Sequence, residues 1–172
     1  MEALGTRRIV RIGCIALFYA LLTLSTLSFT FDNAQIRLAE MFMVLCLYSK
    51  DSVVAVTLGS FAANVFSPFG AYNVSISTLA ALIAGILIYL TRKRVGVFGV
   101  IAAAFISTAV NAPAVSAVIY LNIGEDFMTN LMRIAISEFF VVLIGGAILN
   151  YYISRAKGLR QFLSDNVKAP VR

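Results

Sequence analysis

The sequence predicts an all-α integral membrane protein, a bundle of six transmembrane helices with both termini in the cytoplasm. Its 172 residues are 60% hydrophobic and 13% charged, whereas soluble domains have roughly 45–50% apolar and about 25% charged residues. Six apolar runs follow one another along the chain, and most basic residues flank them at one set of ends. The composition does not change along the chain, so we expect a single membrane domain over residues 1–172.

The six apolar runs are predicted to be helices at about 9–29, 35–49, 52–67, 74–91, 95–122 and 126–154. A spanning helix needs about 20 mostly apolar residues. The second run is short and begins with Arg37 and Glu40, so that end must lie in protein rather than in lipid. The third run is closed by Ser67-Pro68-Phe69-Gly70, because proline and glycine end helices. The basic tail 155–172 is predicted to be a partly helical cytoplasmic extension outside the core.

The distribution of lysine and arginine predicts the orientation of the chain. Six spans place both termini on one side, and that side carries twelve of the fourteen basic residues. The other side carries Arg37 and Arg133. By the positive-inside rule the termini are cytoplasmic and the protein is a multi-pass protein of the cell membrane. The net charge of +6 therefore indicates orientation and contact with anionic membrane lipid, and does not indicate binding of nucleic acid.

The composition also excludes several kinds of chemistry. With no histidine and two cysteines, the chain cannot form a Ser-His-Asp triad, a Cys-His pair or a thiolate metal site. Cys14 and Cys46 are expected to be small buried hydrophobic residues without a disulfide. We expect no metal, no cofactor and no enzymatic activity.

Polar side chains in the outer halves of four spans are candidates for a binding site. They are Glu40, Asn64, Asn111 and Glu138. Ionisable side chains within spans cost about 2.5–3.5 kcal/mol each to insert, and they normally face a protein interior or a water-filled cavity. Their clustering in the outer half predicts a cavity that opens to the outside.

The same polar residues could instead stabilise the bundle itself. Arg37 and Glu40 are three residues apart and could pair on one helix face. Arg133 and Glu138 point about 140° apart on a helix, so Glu138 needs a partner on another helix or a cationic ligand. Asn64 and Asn111 could serve as hydrogen-bonding contacts between helices.

Aromatic residues gather at the same outer level, Phe66 and Tyr72 among them. Tyrosine at a membrane interface is an ordinary feature of the aromatic belt. The functional alternative is that the rings hold a flat, hydrogen-bonding, positively charged base.

Three stretches of the sequence resemble the QueT family of queuosine-precursor transporters. They are Gln35-Ile36-Arg37-Leu38-Ala39-Glu40, Ala63-Asn64-Val65-Phe66-Ser67-Pro68-Phe69-Gly70, and Ser137-Glu138. Members of this family are substrate-binding S components of energy-coupling factor (ECF) transporters. The resemblance implies a six-helix S-component bundle that binds a 7-deazaguanine, such as the 7-aminomethyl base or queuine. It also implies a transmembrane coupling protein and two ABC ATPases as partners.

The resemblance extends to individual residues. The small-residue pair Ala16 and Ala20 on the first helix matches the family's surface for the coupling protein. From the polar and aromatic side chains described above, the substrate-binding residues that we expect are Arg37, Glu40, Asn64, Phe66, Tyr72, Asn111, Arg133 and Glu138.

Two further classes of function fit the sequence less well than an ECF component. A stand-alone proton- or cation-coupled carrier could use Glu40 and Glu138, but such carriers show related halves, and residues 9–90 and 95–154 show no convincing repeat. An intramembrane enzyme needs a nucleophile and a base within reach of each other, and no such pattern accompanies the two acids. The sequence has no G-x-x-x-x-G-K-[ST] loop, so an ATP-driven role requires a separate ATPase.

Overall fold

A computed structural model of the chain describes residues 2–26, 36–94 and 96–163. Within these ranges the chain is helical and contains no strand. The helices, in chain order, are α1 (Glu2–Ser25), α2 (Leu38–Leu47), α3 (Lys50–Asn64), α4 (Gly70–Leu90), α5 (Val97–Ile123), α6 (Phe127–Arg155) and α7 (Lys157–Leu163). A short 3-10 turn, Arg92–Arg94, connects α4 to α5.

Four of these helices are long and apolar enough to cross a membrane: Gly5–Ser25 within α1, and α4, α5 and α6. Helix α2 is a ten-residue 3-10 helix and α3 has 15 residues. At rises of about 2.0 and 1.5 Å per residue, each is only roughly 20 Å long. That is shorter than a hydrocarbon core of about 30 Å. The all-helical membrane bundle is therefore present, while the number of six spans and the cytoplasmic termini stay predictions.

Local sequence explains where several helices begin and end. Ser49 precedes α3, and its hydroxyl accepts a hydrogen bond from the Ser52 amide at 3.1 Å, as expected for an N-cap. Gly124 follows α5 with a φ of 77°, a left-handed conformation that suits glycine at a helix C-terminus. Asp126 then caps α6 by accepting hydrogen bonds from both the amide and the hydroxyl of Thr129 at 2.7 Å. These hydrogen bonds lower the pKa of the Asp126 carboxyl below its ordinary value.

Helices α1 and α3 pack backbone against backbone at a glycine. A Cβ atom added at Gly59 would lie 2.7 Å from the Cβ of Tyr19 and 2.9 Å from the carbonyl oxygen of Ala16. Only hydrogen fits in that space. The contact fixes the position of Tyr19 against α3 and is one reason why this part of α1 is buried.

The basic tail differs from the prediction in its first part. Helix α7 folds back onto the bundle, where Leu163 is 2% exposed and belongs to the main hydrophobic core. A guanidinium nitrogen of Arg11 donates to the carbonyl oxygen of Phe162 at 3.0 Å. The prediction of an extension outside the core is therefore wrong for Leu163, whose apolar side chain joins the core. Residues 157–162 are exposed or half-buried. Residues 164–172 lie outside the described residues.

The two cysteines also differ from each other. Cys46 is fully buried, as predicted, but Cys14 is exposed. The prediction for Cys14 is wrong because it lies on the side of α1 that faces away from the bundle, together with the exposed Leu17, Phe18 and Leu21. A small apolar side chain suits a lipid-facing surface as well as a core.

Candidate functional site

Two buried carboxylates meet in the half of the bundle that lies opposite the N-terminus. Glu40 of α2 is 1% exposed and Glu138 of α6 is 3% exposed. The side-chain nitrogen of Asn111, on α5, donates to Glu40 Oε2 at 3.3 Å and to Glu138 Oε1 at 2.9 Å. Ser107 donates its hydroxyl to Glu138 Oε1 at 2.6 Å, and Tyr19 of α1 donates to Glu40 Oε1 at 2.8 Å. Four helices therefore contribute to this carboxylate group.

A second group, made of uncharged amides and hydroxyls, lies next to the carboxylates, and Arg37 stands between the two groups. A guanidinium nitrogen of Arg37 donates to Asn64 Oδ1 at 3.4 Å. The same oxygen accepts a hydrogen bond from Asn73, on α4, at 2.8 Å. Ser77 donates to Asn73 Oδ1 at 2.8 Å, and Asn64 Nδ2 donates to the backbone carbonyl of Ser60 at 2.8 Å. We call the carboxylate group and this amide group together the polar cluster.

The polar cluster is built on a repeated spacing. Serine and asparagine stand four residues apart on three helices, as Ser60 with Asn64, Asn73 with Ser77, and Ser107 with Asn111. Residues four apart are neighbours on one helix face, and each pair is joined by a side-chain hydrogen bond. Each pair thus presents an amide and a hydroxyl on the same buried face.

The two helices that carry the carboxylates pack closely against each other. Helix α6 contains a π-helical segment, Val141–Gly145, immediately after the turn that carries Glu138. A Cβ added at Gly145 would lie 2.8 Å from the Cβ of Met41, and one at Gly146 would clash with a methyl of Val44. Helix α2 therefore packs directly on the backbone of α6 at the C-terminal end of the π-helical segment. Such segments occur often at functional sites.

The polar cluster contains more acidic than basic side chains. Arg37, 9% exposed, is the cation whose charge acts on both carboxylates. Two buried carboxylates thus face one guanidinium. Among the described residues no group of three or more His, Cys, Asp and Glu side chains is placed to hold a metal ion. An arrangement of this kind suits a polar ligand with a cationic group.

The structure brings together five of the eight predicted substrate-binding residues: Arg37, Glu40, Asn64, Asn111 and Glu138. Arg37 reaches Asn64 on another helix, and Glu40 takes its hydrogen bonds from Tyr19 and Asn111. Glu138 accepts hydrogen bonds from Ser107 and Asn111 on α5, and another helix was one of the two kinds of partner that its angle from Arg133 predicted.

The other three predicted residues lie outside the polar cluster. Phe66 and Tyr72 are 65% and 66% exposed, and Arg133 is exposed on α6. Their part in ligand binding stays a prediction. For the two aromatic residues the position at the end of the bundle also suits an interface belt.

The small residues on α1 are less accessible than their predicted role suggests. Ala20 is 8% exposed and Ala16 is half-buried. Ala16 also contributes its carbonyl oxygen to the close contact with Gly59. Their role as a partner surface stays a prediction.

Sequence reasoning missed Tyr19 and the Ser60, Asn73, Ser77 and Ser107 contributions to the cluster. The four-residue serine and asparagine spacing on three different helices is a signal that could have found the last four. Tyr19 carries no such signal, because a tyrosine within a span is ordinary until its partner is known.

A bundle of apolar helices that encloses a buried polar cluster is an integral membrane protein of the kind in which buried ionisable side chains usually mark a functional site. The family model described as QueT transporter matches residues 9–155. The chain therefore belongs to the QueT transporter family, as the sequence motifs indicated. Neither the curated proteins nor the solved structures gave a match.

Proposed function

We propose that this transporter-family chain is the substrate-binding S component of an ECF-type importer and captures a queuosine precursor outside the cell. The observation that carries the proposal is the pair of buried carboxylates, Glu40 and Glu138, beside a row of buried amides. In a bundle that only needed to pack in lipid, two acids in the interior would be costly, since buried charges cost free energy unless they are paired.

The chemistry of the cluster suits a 7-deazaguanine with a cationic arm. The 7-aminomethyl base is flat, carries a primary amine that is protonated at neutral pH, and has an edge with donors beside a carbonyl acceptor. A carboxylate is the natural partner for the ammonium or for the donor edge. Amides such as Asn64 and Asn73 both donate and accept, and so can complete the hydrogen bonds of the base.

The partners in this proposal are a transmembrane coupling protein and two ABC ATPases. The sequence contains no phosphate-binding loop, so the energy for uptake comes from another chain. With the termini in the cytoplasm, the polar cluster lies in the outer half of the membrane, where a ligand arrives from outside.

The direct test is equilibrium binding of the purified protein to a panel of bases in detergent or nanodiscs. We expect saturable binding of the 7-aminomethyl base or queuine, and no comparable binding of adenine at the same concentration. Failure of the whole panel to bind would overturn the substrate assignment.

A second experiment separates this proposal from a stand-alone proton- or cation-coupled carrier. Proteoliposomes that contain only this chain should bind the base without accumulating it, even when a proton or sodium gradient is imposed. Concentrative uptake by the chain alone would replace the S-component proposal with the carrier.

A further inference from the structure

One amide nitrogen holds the two buried carboxylates close to each other. Asn111 Nδ2 lies 3.3 Å from Glu40 Oε2 and 2.9 Å from Glu138 Oε1. The two carboxylate oxygens are therefore no farther apart than these two hydrogen bonds laid end to end. Carboxylates that share a site disfavour each other's ionisation, and burial disfavours it further.

The groups around the carboxylates do not balance two negative charges. Tyr19 faces Glu40 from α1 as a neutral donor, and Arg37 contributes one positive charge from the start of α2. The described parts of α3, α4 and α5 add only amides and hydroxyls to the polar cluster. Two ionised carboxylates would leave a buried negative charge without compensation, a costly arrangement.

We propose that Glu40 and Glu138 share one proton in the empty protein and release it when the ammonium group of a ligand binds between them. The identity of the ligand rests on the proposed function, whereas the shared proton of the empty protein does not depend on it. In the empty state one carboxyl is protonated and the other is ionised and faces Arg37. This is the behaviour of a coupled pair, so the proton belongs to both acids.

The exchange conserves charge within the cluster. The ligand arrives as an ammonium ion, since an alkyl amine titrates near lysine, at about 10.4. Its positive charge replaces that of the proton, which leaves to the solvent, and both carboxylates are then ionised. A neutral base that fills the same space brings no charge and leaves the proton in place. The pair thus selects ligands with one positive charge.

The experiment is titration calorimetry of the purified chain at neutral pH in two buffers of different ionisation enthalpy. We expect about one proton released per 7-aminomethyl base bound, and about none for the neutral 7-cyano base. Binding of the aminomethyl base without proton release would overturn the proton exchange while leaving the proposed function intact. If neither base binds, the proposed function is overturned but the shared proton is not, because infrared spectroscopy tests the proton in the empty protein.

The test without ligand is infrared spectroscopy of the empty protein across a pH series. We expect the carbonyl band of a protonated carboxyl group at neutral pH, lost in Glu138→Gln and in Glu40→Gln. Glu125→Gln, at an exposed acid outside the polar cluster, is the matched control and should keep the band. The measurement on the parent protein is sufficient even if a variant fails to fold. If the parent lacks this band at neutral pH, the two acids do not share a proton.

Discussion

Glu40 and Glu138, 98 positions apart in the sequence, are hydrogen-bonded to the same side-chain nitrogen of Asn111. Helices α2, α5 and α6 are tied together by this one amide. Any motion that separates α2 from α6 must break at least one of these bonds. A ligand that enters between the carboxylates would change the contact between the same helices.

Removal of the charge from either acid should weaken binding of the 7-aminomethyl base. Loss of one partner from a desolvated charged hydrogen bond costs about 2–5 kcal/mol. We therefore expect Glu40→Gln and Glu138→Gln each to reduce affinity by at least roughly tenfold, about 1.4 kcal/mol. Equilibrium binding measures the effect, with Glu125→Gln as the control that should bind like the parent.

The same two variants test whether the ammonium lies between the two acids. Both should lose most of the preference for the aminomethyl base over its neutral nitrile analogue, because each variant keeps a single carboxylate whose charge Arg37 already balances. If both variants bind both bases as the parent does, the acids serve helix packing and the site lies elsewhere.

A methyl group at Gly59 should disturb the contact between α1 and α3. In Gly59→Ala the new Cβ meets the Tyr19 Cβ at 2.7 Å and a backbone oxygen at 2.9 Å, so the helices must separate. Overpacking typically costs about 1–3 kcal/mol, and we expect a lower midpoint of thermal unfolding in detergent. Gly13→Ala is the control, since nothing lies within 4 Å of its added Cβ. Equal midpoints for the two variants would show that α1 and α3 are not so closely packed.

A larger side chain at Ala16 should impair transport more than binding. Helix association in membranes depends on close approach at small residues, and Ala16 lies only half-buried on α1. We expect Ala16→Leu to reduce assembly with the coupling protein and ATPases in pull-down and uptake assays, with ligand affinity within a few-fold of the parent. Ala109→Leu, at an exposed alanine of α5, is the matched control. Abolished ligand binding in Ala16→Leu would instead place this residue in the internal packing.

Loss of the Asp51 charge should destabilise the other end of the bundle. Asp51 is 1% exposed and forms ion pairs with Arg8 and Arg11. Removing one partner of a buried ion pair costs roughly 3–5 kcal/mol. Because the Arg8 side chain is 54% exposed and solvent weakens ion pairs, we expect a loss of stability at the lower end of that range.

We therefore expect Asp51→Asn to lower the unfolding midpoint and to speed proteolysis of the C-terminal segment. The second effect follows because Arg11 also holds the carbonyl of Phe162 at the end of α7. Asp126→Asn, which alters an exposed helix cap, should leave that proteolysis unchanged. If Asp51→Asn is cleaved at the parent rate, the ion pairs do not hold α7 on the bundle.

The sequence by itself determined the class of protein and much of the candidate site. Long apolar runs must lie in lipid or in a core, and this identified the membrane bundle directly. A charged or amide side chain within such a run needs a polar partner. The sequence alone therefore identified four candidate site residues: Glu40, Asn64, Asn111 and Glu138. The motifs around Glu40, Asn64 and Glu138 also indicated the transporter family.

Only the tertiary structure decided which partner each polar group has. Hydrogen bonds across helices depend on the rotation and depth of each helix, and an almost uniformly apolar helix such as α2 does not reveal its winding in its sequence. In the structure α2 is a 3-10 helix and α6 contains a π-helical segment, and Glu40 and Glu138 accept hydrogen bonds from one amide. Tyr19 enters the site for the same reason, because the close approach at Gly59 fixes α1 at the depth of Glu40.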